Sequence, residues 1–366
     1  MRRFLQRVTL VTGSLVVGLA LAELGLAVDG RYNSVVTREL VASPAIWEPP
    51  ADETDYEAHP DLNLEVEIRL DSQGIRNHGD VSTEAKPSII GFFGDSFTDN
   101  RRIADQFTFT TLLDGIAQSP ARVVSYGVDG YGLDQSYLRY RKYEAHDIRH
   151  VVYLFCGNDL RNLYETGLVE YRDSQIVFRR PGPRFLRRLL GRVRLTYLVM
   201  GAYRRLWGTA PDVLPEAHAD RDSRFKDAYA ATISDDFLST TPGPTAQLAE
   251  TFVMVLRKWQ EEVEGRGRTF TVLVLPRESD TALAGKLLRP FGGRVIYLRE
   301  YFPDEMVVFF NDGHWNEYGN LQMASVLTAL DRLPFHSEIS QRALSSDLTR
   351  AINRYYEEHS PRPRRR

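Results

Sequence analysis

A hydroxyl, an amide, a carboxylate and an imidazole recur in this chain at one kind of place, just beyond a short apolar run. Ser96 follows Ile89-Ile90-Gly91-Phe92-Phe93 through the turn Gly94-Asp95. Asn158 follows Val151-Val152-Tyr153-Leu154-Phe155-Cys156 across Gly157, and Asp312 and His314 lie in the polar loop Phe309 to Gly319. Each residue alone has an ordinary reading: serine is among the best helix caps, and Asn-Asp after a strand is common turn chemistry. Together they are the set that acyl transfer requires. A serine attacks, a histidine takes and returns its proton, a carboxylate orients the imidazole, and N–H donors hold the developing oxyanion. A further strand-like run, Arg122 to Tyr126, leads into Gly127-Val128-Asp129-Gly130-Tyr131-Gly132. These glycines form either a tight turn or a place where backbone approaches a ligand. They are not the dinucleotide fingerprint, because Asp129 stands where its second glycine is needed.

The elements that must position these residues follow from periodicity. Apolar runs at Ser88–Phe93, Arg122–Tyr126, His150–Cys156, Thr269–Leu275 and Arg294–Leu298 read as buried strands. Helices are expected at 103–117, 133–145, 245–264 and 316–332. Alternation of strand and helix predicts an α/β chain built on a flavodoxin-like, doubly wound parallel sheet of about five strands. In the order 2-1-3-4-5 the ends carrying Ser96, Gly130 and Asn158 are neighbours, beside the switch point where ligands bind. Ahead of this domain, Leu64 to Leu70 alternates apolar and charged residues like a half-exposed strand, and Trp47 to Asp55 is a proline-punctuated linker.

Composition sets the frame. The 366 residues carry a net charge of −3, which indicates no nucleic-acid partner, and the single cysteine, Cys156, rules out an intramolecular disulfide framework. Cys156 stands in an apolar run and reads as a buried inert thiol. No Cys/His cluster has zinc spacing, and His146 and His150 read as exposed helix-end residues. Arg2, Arg3 and Arg7 precede Val8 to Ala22, which has no charge before Glu23. That pattern predicts a signal-anchor or transmembrane helix over 1–28 that sends the rest of the chain out of the cytoplasm. The alternative is a secreted protein, cleaved after Ala20-Leu21-Ala22. Residues 29–86 then form a linker and an N-terminal β-ribbon, and 87–335 the main domain with a helical insertion at about 163–239. Residues 336–366 form a C-terminal helix and basic tail. Arg184 to Trp207 reads as a basic amphipathic helix, either a solvated cover or a membrane-surface element, and Pro211 to Asp235 as a polar insertion.

The same residues resemble a known family, the SGNH hydrolases (GDSL-type esterases and lipases), and in particular its membrane-anchored bacterial members. Gly94-Asp95-Ser96-Phe97-Thr98 resembles the family's first block, the glycine turn the second, Gly157-Asn158-Asp159 the third and Asp312-Gly313-His314 the last. The likeness spans roughly Ser88 to Arg332. It departs in two places: aspartate stands two residues before the histidine, where three is commoner and Asn311 sits, and Ser125 ends strand two where asparagine is common. The resemblance implies Ser96 as nucleophile, His314 as base and then acid, and Asp312 as its orienter. It also implies an oxyanion hole of the Ser96 N–H, the Gly130 N–H and the Asn158 amide, with Asp95 bracing the turn and no metal or organic cofactor. The expected activity is hydrolysis of an O-acyl, possibly acetyl, ester on a small molecule, lipid or glycan outside the cytoplasm, through an acyl-enzyme. Two alternatives stay open: an O-acyltransferase modifying a surface polysaccharide, and a catalytically silent, membrane-tethered binding module.

Overall fold

The computed structural model describes residues 14, 17–25, 48–49, 51–62, 64–76, 88–115, 121–166, 168–172, 175–178, 244–302, 308–309, 312–330, 333 and 338–359. The chain divides into two compact units, one of Met1–Leu40 with Pro181–Ala217 and one of Val41–Arg180 with His218–Arg366. In the first, the described residues Ser14 and Val17 to Gly25 are helical and largely exposed. Nine consecutive residues span only about 13 Å against a hydrocarbon core of about 30 Å. Among the described residues no helix is long and apolar enough to cross a membrane. The transmembrane helix expected over 1–28 is therefore not found there, and the rest of that segment lies outside the described residues. So do Arg184 to Trp207, Pro211 to Asp235 and the basic tail 361–366.

The second unit is an α/β structure around a five-stranded parallel sheet. An antiparallel ribbon, β1 (Thr54–Ala58) and β2 (Glu65–Arg69), precedes it, so the expected linker already turns into strand at Thr54. The chain continues through β3 (Ile89–Phe93), α1 (Ser96–Asp99), α2 (Phe109–Asp114), β4 (Arg122–Ser125), α3 (Leu133–Lys142), β5 (Ile148–Phe155) and α4 (Asn158–Thr166). A short antiparallel hairpin, β6 (Val169–Arg172) and β7 (Gln175–Phe178), follows. The described start of the expected helical insertion thus leaves α4 for strands, and 179–243 lies outside the described residues. Then come α5 (Pro244–Glu264), β8 (Thr269–Val274), α6 (Glu278–Leu287), β9 (Val295–Tyr297), α7 (Glu317–Ala329) and α8 (Glu338–His359). The sheet order is β4-β3-β5-β8-β9, all parallel, which is 2-1-3-4-5 among the sheet's own strands.

Both faces of the sheet are covered, which is why its strands are continuously apolar rather than alternating. On β3, Ile90 and Phe92 point into a core shared with Phe109 and Leu113 of α2 and Met323 and Leu327 of α7. Phe93 faces the other way, stacked on Tyr126 and edge-on to Trp259 of α5. Trp259 is fully buried, and its ring also meets those of Tyr140, Tyr153 and Phe270 at 5.4–5.9 Å.

Two expectations fail for identifiable reasons. The single helix expected over 103–117 is broken up. Thr108 is extended (φ −66°, ψ 142°) and ends a short 3₁₀ turn over Asp105–Phe107, and its hydroxyl caps a fresh start by accepting the Thr111 N–H. The pair His146 and His150 does not sit at an exposed helix end. His146 is half-buried in the turn before β5, its Nδ1 2.9 Å from the Tyr126 hydroxyl. His150 is buried within β5 at 6% exposure, its Nε2 3.0 Å from the Thr271 hydroxyl on β8.

Burial lowers the His150 pKa to about 4 from the usual 6.5. The unfolded chain therefore takes up this proton first as pH falls. The stability due to neutral His150 is intact above pH 6.5 and is lost progressively between 6.5 and 4, by about 3 kcal/mol. Urea unfolding from pH 7.5 to 4 should show this decline, and His150→Gln, which keeps a polar partner for Thr271, should flatten it by that amount.

Candidate active site

The site begins where β3 stops. Gly94 has φ +156°, and a Cβ there would lie 2.4 Å from the Thr98 hydroxyl and 3.0 Å from the Leu154 carbonyl, so only glycine lets the chain turn here. Asp95 comes next, fully buried, and its Oδ1 accepts the Phe97 N–H at 3.0 Å as the cap of α1. Its Oδ2 accepts the Asn158 Nδ2–H at 3.0 Å, which ties the end of β3 to the end of β5. Burial pushes the Asp95 carboxyl up. The Phe97 N–H, the Asn158 amide and the charges of His314 and Arg277 oppose that, less strongly. Ser96 is consequently the first residue of α1, with its hydroxyl half-exposed at the carboxyl edge of the sheet.

His314 arrives from more than two hundred residues away on a loop that closes on itself. Val308 and Trp315 form an isolated antiparallel bridge, the Phe309 N–H donates to the His314 carbonyl at 3.0 Å, and the Asn316 Nδ2–H donates to the Val308 carbonyl at 3.2 Å. Asn316 also caps α7 by accepting the Gly319 N–H. The His314 ring lies 4.8 Å from that of Phe97, which packs edge-on against Trp315. So held, His314 Nε2 is 2.7 Å from Ser96 Oγ, while Nδ1 is hydrogen-bonded to Asp312 Oδ1.

The two-residue spacing has a local explanation. Asp312 Oδ1 also accepts the His314 backbone N–H at 2.9 Å, so one oxygen closes an Asx-type turn and meets the imidazole. Asp312 is buried, which alone would push its carboxyl up. The His314 hydrogen bond and charge, with the Arg102 guanidinium, outweigh this and hold it well below the usual carboxylate range.

The remaining candidates are near this chain but outside it. Asn158 reaches it through Asp95 and has a second amide proton to donate. In the glycine turn, Gly127 lies against α1: a Cβ would fall 2.5 Å from Thr98 Cβ and 2.7 Å from the Asp99 backbone nitrogen. The Val128 N–H is taken by the Gly94 carbonyl, and the Asp129 N–H by Asp99 Oδ2 at 2.9 Å. Gly130 has the left-handed φ of 76°, and neither its N–H nor that of Ser96 meets an acceptor among the described residues. Ser125 donates its hydroxyl to the Thr98 carbonyl at 2.8 Å, another tie between β4 and α1. Asn311 lies outside the described residues. Among those described, no cluster of His, Cys, Asp and Glu is arranged to hold a metal ion.

Ser96 and His314 open into a cleft of about 320 Å³, counting space open to solvent, whose lining includes Glu57 of β1, Arg101, Arg102, Asp129 and Trp315. Two residues important here escaped sequence reasoning. Arg102 Nη1 lies 3.3 Å from Asp312 Oδ2 and 3.1 Å from His314 Nδ1. Arg76, buried at the end of the turn that follows β2, donates Nε to Asp105 at 2.6 Å. Its other nitrogens donate to the carbonyls of Asp99, Asn100 and Ile103 at 2.5–2.8 Å. It thereby holds the loop that carries Arg101 and Arg102. Nothing in the residues around Arg76 or Arg102 says what its side chain reaches.

The arrangement can therefore pass a proton from a hydroxyl to an imidazole backed by a carboxylate, beside unspent N–H donors. No family model matches the chain, and no curated protein does. Nine solved chains match it; for one of them the alignment covers 56% of this chain and 99% of the other at 16% identity and a TM-score of 0.22, a likeness that carries no argument.

Removing Arg76 leaves Asp105 buried without its cation and three carbonyls without their donor. Arg76→Met should cost about 3–5 kcal/mol in denaturant unfolding at neutral pH, whereas Arg69→Met, on an exposed pair, should cost under about 1 kcal/mol.

Proposed function

We propose that this protein is a serine esterase of the SGNH type, hydrolysing an O-acyl ester through an acyl-enzyme. The observation that carries the reading is the continuous path from Ser96 Oγ, 2.7 Å from His314 Nε2, through the imidazole to the Asp312 carboxylate. In the first half-reaction His314 Nε2 takes the Ser96 proton as Oγ attacks the acyl carbon, with Nδ1–H held by Asp312. The carbonyl oxygen becomes an anion, and the N–H groups of Ser96 and Gly130 and the free amide proton of Asn158 are the donors assigned to it. His314 then gives its proton to the departing alcohol oxygen, leaving Ser96 acylated. In the second half, water replaces the alcohol: His314 takes its proton, hydroxide attacks the acyl carbon, and Ser96 Oγ leaves with that proton.

Asp95 has a structural part only, since both its oxygens are engaged in bracing the turn and Asn158. No step needs a metal or an organic cofactor. The basic start and uncharged run of the amino-terminal segment support placing this chemistry outside the cytoplasm, tethered to a membrane. The substrate class is an acylated small molecule, lipid or glycan.

Ser96→Ala should lower turnover of an activated acetyl ester by roughly 10⁴- to 10⁶-fold, and a fluorophosphonate probe should label the wild type and not the variant. Asn158→Ala should lower kcat by about 10²- to 10³-fold if its amide serves the oxyanion. Hydrolysis undiminished in Ser96→Ala, or folded wild type refusing the probe, refutes the assignment. Product analysis with an added glycan acceptor separates hydrolysis from acyl transfer.

A further inference from the structure

We propose that Arg102 is a positioning residue of this site, anchoring the outer oxygen of Asp312 and keeping a fixed positive charge against His314. The inference deepens the esterase reading and rests on it. Asp312 uses Oδ1 for both the backbone and ring of His314, so Oδ2 is left over. It is buried with no hydrogen-bond partner, and the only cation paired with it among the described residues is Arg102 Nη1, at 3.3 Å. The contact is thus an ion pair rather than a hydrogen bond. The Arg102 side chain is 25% exposed and that of Asp312 1%, so the pair stands at the boundary between cleft and core, where solvent screens it only in part.

The contact with His314 has its own consequence. Guanidinium only donates, and the Arg102 nitrogen lies 3.1 Å from Nδ1, the same atom that must donate to Asp312 in the working tautomer. Arg102 therefore cannot hydrogen-bond a protonated Nδ1. It stands against the ring as a charge at close range and leaves the Nδ1 hydrogen bond to Asp312.

Other charged groups act on the same ring. Asp95 at the end of β3 is coupled to it through charge, and Arg277 beyond β8 sits 4.9 Å over Phe97, on which His314 packs. Glu57, Arg101 and Asp129 line the same cleft, but Arg101 is engaged by Asp55 and Glu57 of β1. Arg102 is the cation nearest the imidazole among these. The same loop thus has one arginine turned to the ribbon and the next turned to the site, with Arg76 holding their backbone.

Loss of this contact leaves the outer oxygen of Asp312 unpaired and its grip on the imidazole looser. In Arg102→Met the plateau kcat should fall about tenfold with little change in KM, and Arg102→Lys should recover most of it. The NMR resonance of the His314 Nδ1 proton, assigned by its absence in His314→Asn, should shift or broaden in Arg102→Met and return in Arg102→Lys, which reads the same anchoring without turnover. It tests the inference even if Ser96→Ala has refuted the esterase reading. Should Arg102→Met fail to fold, Arg102→Gln carries the comparison. A kcat and an Nδ1 proton resonance that stay put in the uncharged variants, or change equally in Arg102→Lys, overturn the proposal.

Discussion

A carboxylate buried without solvent must be fully engaged or it destabilises the fold that buries it. Asp95 is that group here, and the rest of the site depends on how it is satisfied. One oxygen starts α1 by taking the Phe97 N–H, and the other takes the Asn158 amide, so two strand ends are locked by a single side chain. The direction of Ser96 follows, because the serine is the next residue and its helix has only one turn in which to relax. Thr98 and Asp99, further along that turn, are bound to β4 and the glycine loop through Ser125 and the Asp129 N–H. α1 is too short to be stable alone. It exists because its polar groups are spent on the three loops around it.

The histidine side is built differently. There, stiffness comes from a closed backbone loop and aromatic packing, with Phe97 as the shared surface. Its ring meets both His314 and Trp315, and Arg277 lies over it while donating toward Cys156 Sγ at 2.8 Å. The serine is thus oriented by hydrogen bonds, and the imidazole by rings together with the Asp312 carboxylate. The two side chains meet at the Oγ–Nε2 contact.

Much of this was legible in the sequence, for a definite reason. The five strands are buried along most of their length, so their runs stand out as rich in Val, Ile, Leu and Phe, and parallel strands in register bring their ends to one edge. Phe92 faces Ser125 and Phe93 faces Tyr153. That register alone puts the loops starting at Gly94, Tyr126 and Cys156 side by side. What periodicity did not convey was anything set by a single side chain reaching across the chain. The break of the 103–117 helix depends on the extended backbone at Thr108 and on its hydroxyl recapping the chain, neither of which disturbs the apolar pattern. His150 was misjudged because a polar residue at the start of an apolar run reads as an edge, whereas its partner, Thr271, is supplied by the neighbouring strand. Arg76 and Arg102 are ordinary arginines in their own surroundings, and their meaning lies in carbonyls and carboxylates that the fold brings to them.

The spacing of Asp312 and His314 joins these points. With the aspartate two positions before the histidine, the carboxylate binds its own turn, and Oδ1 serves both the backbone N–H and Nδ1 of His314. This economy leaves Oδ2 unspent inside the protein, and an unspent carboxylate oxygen in a buried place calls for a cation. Arg102 stands in that position, on a loop whose three carbonyls are gathered by Arg76 and whose other arginine, Arg101, is held by β1. The shortened spacing and the arginine loop are therefore two ends of one constraint. The first creates the buried charge, and the second, reaching from the other side of the cleft, balances it.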